Sequence, residues 1–474
     1  MSIKFGNVVR KLKNSVYSLY EHLLFREYSA EKVFERLSKI NNNELYNYKV
    51  SFIIPTYNGL VKGEIPRLID SIKNQSFPNI EIVAVDSEST DGTYEYLISQ
   101  GVKVIRIKKS EFRHDYSRNI GAENASGDFL VFTVQDAQFV NERWVEIALR
   151  HLLAFDAVSF SSYQMADDSD PYGKFLSYNF IRSNEYQNRS YLIGNKFLGR
   201  YLFNKLPRKL KAKAIHVDDV AHMVKKSFFD TVKYKMNTCE DMMFGKDIIL
   251  SNERWIFSTL IYVKHGHTYK NFSKYFVRVF VDNMAILDIL EEHRLQAKVY
   301  ENVIDFLLII SAYVIYVFEK VFSTFDNSDL VSYYPDMLKN VVGRRVLHMF
   351  EVLDVLTTAL RKTEYSFLVY NFSKCLDSML VKNLFTELGL SFCEPQIMDY
   401  SLFHSVIEHV ISHFWYVSHE TLNNLYEALS IQDFYYLVGN AIINTLGYRL
   451  AKAVCIYKDE KSINKDKLLS LRWQ

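Results

Sequence analysis

The spacing of apolar residues changes character twice along this chain, and the changes mark out its organisation. Near the start, Val9, Leu12, Val16, Leu19 and Leu23 recur at steps of three and four, a helical stripe with Arg10, Lys11 and Lys13 outside it. That segment either docks on the protein's own body or lies against a membrane surface. From Val50 the pattern becomes short apolar runs rich in β-branched residues: Val50 to Thr56, Ile80 to Val85, Val102 to Ile107 and Asp128 to Val134. Continuous apolar runs that stop at turn-formers are expected of strands buried on both faces of a parallel sheet. Between them, Ile65 to Asn74, Thr93 to Gln100 and Tyr116 to Ala125 predict helices, with Gly101 and Gly127 as terminators. Strand and helix alternate, as an α/β layer requires. After Val277 the alternation ceases, and Met284 to Glu292, Ala297 to Lys320, Val346 to Leu360 and Leu402 to Tyr416 predict successive helices. Three regions follow: a helical N-terminal segment at 1–47, an α/β domain at 48–277 and an all-helical C-terminal domain at 278–474.

In an open α/β sheet, ligands bind beyond the carboxyl ends of the strands. The candidate loops are therefore Pro55-Thr56-Tyr57-Asn58-Gly59, Asp86 with the following Ser89-Thr90-Asp91-Gly92-Thr93, and Gln135-Asp136-Ala137. They address one site.

In this order, and with Arg118-Asn119-Ile120-Gly121 between them and Glu240-Asp241 after them, these motifs resemble glycosyltransferase family 2. The resemblance spans roughly 48–277. It implies a GT-A fold, an inverting mechanism and a nucleotide-sugar donor. Phe112-Arg113-His114, the stretch Thr133-Val134-Gln135-Asp136-Ala137 and Val263-Lys264-His265-Gly266-His267 are most similar to rhamnosyltransferases of bacterial surface-polysaccharide assembly. The implied donor is dTDP-rhamnose or a UDP-sugar, and the implied acceptor a glycan or lipid-linked saccharide.

Each step of such a transfer needs a group to carry it. Asp86 stands where a carboxylate can accept the imide N–H of uracil or thymine, the role the resemblance gives it; the other reading is a loop Asp that caps its own turn. Asp91 is foremost a helix cap. Pro55, Thr56 and Tyr57 are expected at the nucleoside. Arg118 offers a planar, permanently charged donor for diphosphate or ribose, or else pairs with Glu123 or Asp115 at the surface. Arg113 and His114 lie near the donor or in a solvated loop.

Gln135-Asp136-Ala137 occupies the place of the family's metal-binding DxD motif with one carboxylate fewer, whereas hard divalent cations prefer several oxygen ligands. Asp136 is the metal candidate, for Mn2+ or Mg2+. His267 or His265, on one side of an extended segment, is its partner candidate unless the pair binds loop carbonyls or the diphosphate. By the resemblance, Asp241 is the base that takes the acceptor proton, with Glu240 beside it; adjacent acids also arise as a charge pair at a helix start. His216, Asp218 and Asp219 precede a segment on the acceptor side.

Composition narrows the partners. With 474 residues there is chain for two or three domains, and a net charge of +2 excludes a strong field for nucleic acid. The 33 Tyr and 34 Phe against 16 Gly and 7 Pro predict a packed, helix-rich protein, with a homodimer or assembly with other glycosyltransferases as outlets for its apolar surface. Cys239, Cys375, Cys393 and Cys455 lack CxxC spacing and follow no cleavable signal, so a cytoplasmic location is expected, peripheral at the inner face of the plasma membrane. The uncharged run Phe306 to Phe318 is shorter than the roughly 20 residues that span a bilayer and predicts a buried helix. The competing class is an inactive GT-A domain that scaffolds other enzymes, supported by the single-carboxylate QDA motif. A nucleotide-sugar pyrophosphorylase would need a Gly-rich N-terminal phosphate loop that the sequence lacks.

Overall fold

A computed structural model describes residues 17–166, 188–265 and 272–290, together with short helical pieces between 408 and 454. The chain divides into two compact units, Met1–His267 and Thr268–Gln474.

The first unit is built on one nine-stranded sheet: β1 (Phe25–Ser29), β2 (Val50–Thr56), β3 (Ile80–Asp86), β4 (Lys103–Arg106), β5 (Phe129–Thr133), β6 (Ser159–Met165), β7 (Arg189–Gly194), β8 (Ala221–Lys225) and β9 (Arg254–Lys264), in the spatial order β1-β7-β9-β6-β8-β5-β2-β3-β4. The four strands expected from the apolar runs pair in parallel, β4-β3-β2-β5, and their register puts Thr56 beside Asp86. Beyond β5 the sheet turns mixed: β8 runs antiparallel to both β5 and β6, and β9 runs parallel to β6. That antiparallel insertion brings the start of β8 to the carboxyl end of β5, where Thr133 lies opposite Ala221.

The burial pattern explains the sequence pattern. Every residue of β5 is buried, and so is every residue of β2 except Pro55. The helix Glu64–Lys73 buries Ile65, Leu68, Ile69 and Ile72 on one side, and the helix Trp144–Ala154 buries Trp144, Val145, Ala148, Leu149 and Leu152. Between them, Phe52, Phe139, Trp144 and Phe160 form a run of edge-to-face contacts with centroids 4.9 to 5.9 Å apart. The Trp144 indole N–H is satisfied by Ser162 Oγ at 3.0 Å. On the opposite face, the helix His114–Glu123 lies close over β2. A Cβ at Gly121 would come within 2.5 Å of Ile53, so only glycine permits the approach. This packing fixes Arg118 beneath the strand ends.

Several expectations are corrected. The region 1–47 is not simply helical: residues 17–24 are helical, but Phe25–Ser29 forms an edge strand antiparallel to β7, with the helices Ala30–Leu37 and Asn42–Leu45 following. Tyr28 packs on Phe155 at 4.9 Å, and with only Phe25 and Tyr28 half-buried and the other three residues exposed there was no apolar run to read. The units part at His267, and the helix Phe272–Ile289 runs through Val277, where the domain boundary was expected. The helices expected at 297–320, 346–360 and most of 402–416, including the run Phe306 to Phe318, lie outside the described residues. Among the described residues, no helix is long and apolar enough to cross a membrane.

Candidate active site

The carboxyl ends of β2 and β3 carry two loops that are tied to one another. Asp86 is fully buried: its carboxylate accepts from Ser89 Oγ at 2.5 Å, Ser89 N at 3.1 Å and Thr56 Oγ1 at 3.3 Å, with Arg106 Nε at 3.8 Å. Asp91 accepts from the backbone N–H of Leu60, Val61 and Thr93 and from the Thr93 hydroxyl. Burial opposes its charge, but these donors outweigh it and hold the Asp91 carboxyl below the usual range. Asn58, at φ 47°, crosses between the loops, its N–H donating to Ser89 Oγ and its side-chain oxygen accepting from Thr90 N. Tyr57 is exposed at the rim; Lys109 Nζ donates to its hydroxyl at 2.7 Å and lies 4.6 Å from its ring centre. Gln135 stitches the end of β5 to this loop: its Oε1 accepts from Tyr57 N, and its Nε2 donates to Tyr57 O and to Glu64 Oε2.

Next along the sheet edge stands Asp136, partly exposed, with His265 Nε2 at 3.6 Å from its Oδ1. His265 follows β9 directly, and its Nδ1 lies 2.7 Å from Gln164 Oε1, at the end of β6. Gln164 Nε2 in turn donates to Asp218. With the Gln164 oxygen as acceptor Nδ1 is the donor, and Nε2 is the ring nitrogen nearest Asp136. An imidazole nitrogen and a carboxylate oxygen at this separation suit one divalent cation between them, manganese better than magnesium. His267, the alternative partner, lies outside the described residues.

The third part is a cluster of carboxylates around one arginine. Arg118 is 1% exposed; its guanidinium contacts Asp219 Oδ2 at 2.5 Å, Glu240 Oε1 at 3.0 Å and His114 Nδ1 at 2.9 Å. Burial works against its charge, yet Asp219 and Glu240 outweigh that and hold it protonated. The guanidinium expected at the diphosphate or ribose is, in the structure, buried and shared between two carboxylates. The surface pairings with Glu123 or Asp115 do not form: Glu123 binds Lys233, and Asp115 binds Arg113, whose fork engages it at 2.9 and 3.1 Å. His114 is tied by its backbone N–H to Asn237 and belongs to the arginine's surroundings.

Glu240 and Asp241 open the helix Glu240–Leu250, preceded by Cys239 in the left-handed region at φ 55°. Glu240 is buried against Arg118, while Asp241 is partly exposed, and its ligand atoms gather with those of Asp218 and Asp219 within 4.8 Å of one another. A helix start favours negative charge. Burial here is stronger: it pushes both Glu240 and Asp241 well above the ordinary carboxylate range, and for Asp241 the neighbouring Asp219 and Asp218 push further in the same direction. The close fit of this helix depends on Gly245, where a Cβ would run into the backbone oxygen of Ile215, just before Asp218. Beneath lies buried, uncharged His222, held down to about 3 by burial, between Ser159 Oγ at 2.6 Å and Tyr234 OH at 2.9 Å.

The structure thus joins Asp136, His265, Gln164, Asp218, Asp219, Arg118 and Glu240 into one connected network, with Asp241 at its partly exposed edge. Asp86, Thr56, Tyr57 and Gln135 form the neighbouring half. Sequence reasoning missed Gln164, Glu64 and Lys109, which sit in no motif. It placed Asp218 and Asp219 near the acceptor but gave no sign of the contact between Asp219 and Arg118.

Residues 51–230 match the family model "Glycosyl transferase family 2". The chain carries a glycosyltransferase family 2 domain. The α/β GT-A fold class expected from the motifs is the one observed. Curated relatives include the putative teichuronic acid biosynthesis glycosyltransferase TuaG of Bacillus subtilis, 31% identical over 136 residues, which are 27% of this chain and 52% of TuaG. They also include the O-antigen chain rhamnosyltransferase RfbN of Salmonella typhimurium, 23% identical over 239 residues, 48% of this chain and 70% of RfbN. The matched stretches cover 18% to 52% of the length of the first three curated relatives. Among solved structures, S. aureus TarS 1-349 aligns with a TM-score of 0.38 at 13% identity, over 78% of this chain and 91% of that one.

Proposed function

We propose that this family 2 domain transfers a sugar from a nucleoside diphosphate donor, with inversion, to a hydroxyl of a glycan or lipid-linked saccharide during polysaccharide synthesis. Asp241 supports this reading most: a partly exposed carboxylate of raised proton affinity, in the same network as Asp136 and His265. Raised affinity makes a stronger base. The acceptor hydroxyl gives its proton to Asp241 as its oxygen attacks the anomeric carbon, and the bond to the diphosphate breaks with its electron pair leaving on the nucleoside diphosphate. No covalent enzyme intermediate is required.

Asp136 and His265 would hold a divalent cation, which supplies positive charge to the diphosphate when bound. Arg118 acts on this chemistry indirectly, as the counter-charge that keeps Asp219 and Glu240 in place beside Asp241. Thr56 and Tyr57 line the nucleoside side. Asp86, fully enclosed by Ser89 and Thr56, shapes that loop, and it meets a base only where the loop yields one of its acceptor positions. The donor proposed is dTDP-rhamnose first, UDP-sugars second, on the likeness of the Thr133 and Val263 motifs to rhamnosyltransferases and on the name of RfbN.

The test is calorimetric titration of the full chain with dTDP and UDP, with and without Mn2+, followed by product mass from a nucleotide-sugar panel. Tight binding of one diphosphate only with Mn2+, and a mass increment of one deoxyhexose, are expected. Binding of neither overturns the reading. Full transfer in the presence of chelator would remove the cation from it, and undiminished Mn2+ dependence in His265→Ala would move the ligand set elsewhere.

A further inference from the structure

One stretch of the first unit departs from the near-neutral balance of the whole chain. Between Asn195 and Ala214 stand seven lysines and arginines and no aspartate or glutamate, in a protein of net charge +2. The two helices here, Gly199–Lys205 and Arg208–Ala214, turn Leu202, Phe203 and Ala214 into the body of the unit. A Cβ at Gly199 would lie 2.8 Å from Ile249 O, so the first helix is seated tightly on the end of the helix Glu240–Leu250. What faces outward is unusual. Phe197 is 88% exposed, Tyr201 54% and Leu198 47%, and Lys205, Lys209 and Lys213 are exposed beside them.

The surface extends onto residues 17–24, where Leu19 is 56% exposed. Lys213 lies over the Phe25 ring at 5.1 Å, and Asn195 Nδ2 donates to Leu23 O. Among the described residues, the acidic partners of its lysines are Glu21, 4.0 Å from Lys213, and Asp156, which binds Lys196 at the margin. Projecting Phe and Leu side chains ringed by cations, with aromatic hydroxyls between, are what an interfacial segment presents to a bilayer: apolar tips enter the acyl boundary, while basic groups meet anionic headgroups. A nucleic acid would use the charge and leave the exposed Phe197 and Leu198 without a partner.

We propose that the surface formed by residues 195–214 and 17–24 docks the protein on an anionic lipid bilayer. The proposal goes beyond the catalytic reading and does not depend on it, since none of these residues belongs to the site described above. Two independent forces act. Electrostatic attraction fades with ionic strength, because the Debye length falls from about 10 Å at 0.1 M salt to about 3 Å at 1 M. Insertion of Phe197 and Leu198 does not.

The experiment is co-sedimentation of the full chain with vesicles of phosphatidylcholine alone and of phosphatidylcholine with phosphatidylglycerol, across a salt series. Binding is expected only to the anionic vesicles and is expected to weaken with salt. The triple variant Lys205→Glu, Lys209→Glu, Lys211→Glu should lose on the order of a hundredfold or more in partition, taking about fivefold for each basic group removed. The double variant Phe197→Ser, Leu198→Ser should lose at least about tenfold and keep the wild-type salt slope. Circular dichroism and melting temperature confirm that both variants are folded, and calorimetry with nucleoside diphosphate separates loss of docking from loss of the catalytic reading. Equal binding to neutral vesicles, unchanged binding by both variants, or tighter retention on a nucleic-acid duplex than on anionic vesicles would each overturn the proposal.

Discussion

The two halves of the strand edge solve opposite problems with the same residue type. In the loops after β2 and β3, carboxylates are satisfied by nearby neutral donors: Asp91 by three backbone N–H groups and a hydroxyl, Asp86 by Ser89 and Thr56. Their partners are fixed and the loops are closed by short contacts. Across β5, Asp219 and Glu240 share one guanidinium while Asp218 and Asp241 crowd against Asp219, and burial raises the proton affinity of Asp218, Glu240 and Asp241. A carboxylate fully satisfied by donors is a good strut and a poor base. A carboxylate held among other carboxylates is costly to keep ionised and ready to take a proton. The contrast teaches where the chemistry belongs: the first half suits holding a donor, the second suits activating an acceptor.

The sharpest way to break this contrast is Asp241→Asn, which keeps the shape and removes the proton acceptor. Turnover should fall by about two to four orders of magnitude with the donor affinity largely kept, measured by steady-state transfer and calorimetry. Near-normal turnover would hand the role to another group, and parallel loss of donor binding would make Asp241 structural.

Arg118→Met should be the most destabilising change in the site. It leaves buried Glu240 and half-buried Asp219 without a counter-charge, a loss of about 3–5 kcal/mol by denaturant titration at neutral pH. Lowering the pH should return part of that loss as Glu240 protonates. A variant as stable as the wild type would mean that the cluster is already neutral. Asp91→Ala tests the other half: about 1–3 kcal/mol of stability is expected to go with its four donors, and donor KM should rise more than kcat falls. A fall in kcat at unchanged KM would erase the division of labour.

The smallest effect is a slope. Glu240 and Asp241 bind protons more tightly folded than unfolded, so their contribution to stability is complete below the ordinary carboxylate range, near pH 4, and is lost as pH rises through their raised values. Asp91, with its lowered value, has the opposite sign: its contribution is present above that range and is lost as pH falls through it. Melting temperature followed upward from pH 5 should therefore decline less steeply in Asp241→Asn than in the wild type. An identical slope would place the proton elsewhere in the cluster.

Much of this molecule was decided by short-range pattern. Apolar runs of strand length, ending at Thr56, Asp86 and Gln135-Asp136, determined the parallel core β4-β3-β2-β5 and the edge where a ligand would bind, because a strand buried on both faces has no alternative composition. The Glu240-Asp241 pair at the start of a helix was readable for the same local reason. Tertiary structure alone decided the partnerships. Arg118 meets Asp219 and Glu240 across 101 and 122 residues of chain, and His265 meets Gln164 across another 101. The Phe25–Ser29 edge strand, likewise, exists only because β7 offers it backbone partners. A buried charge is stable only where a counter-charge arrives from elsewhere in the fold. Which arginine serves the acids, and which acid is left as the base, is therefore a property of the packed molecule and of no single stretch of its sequence.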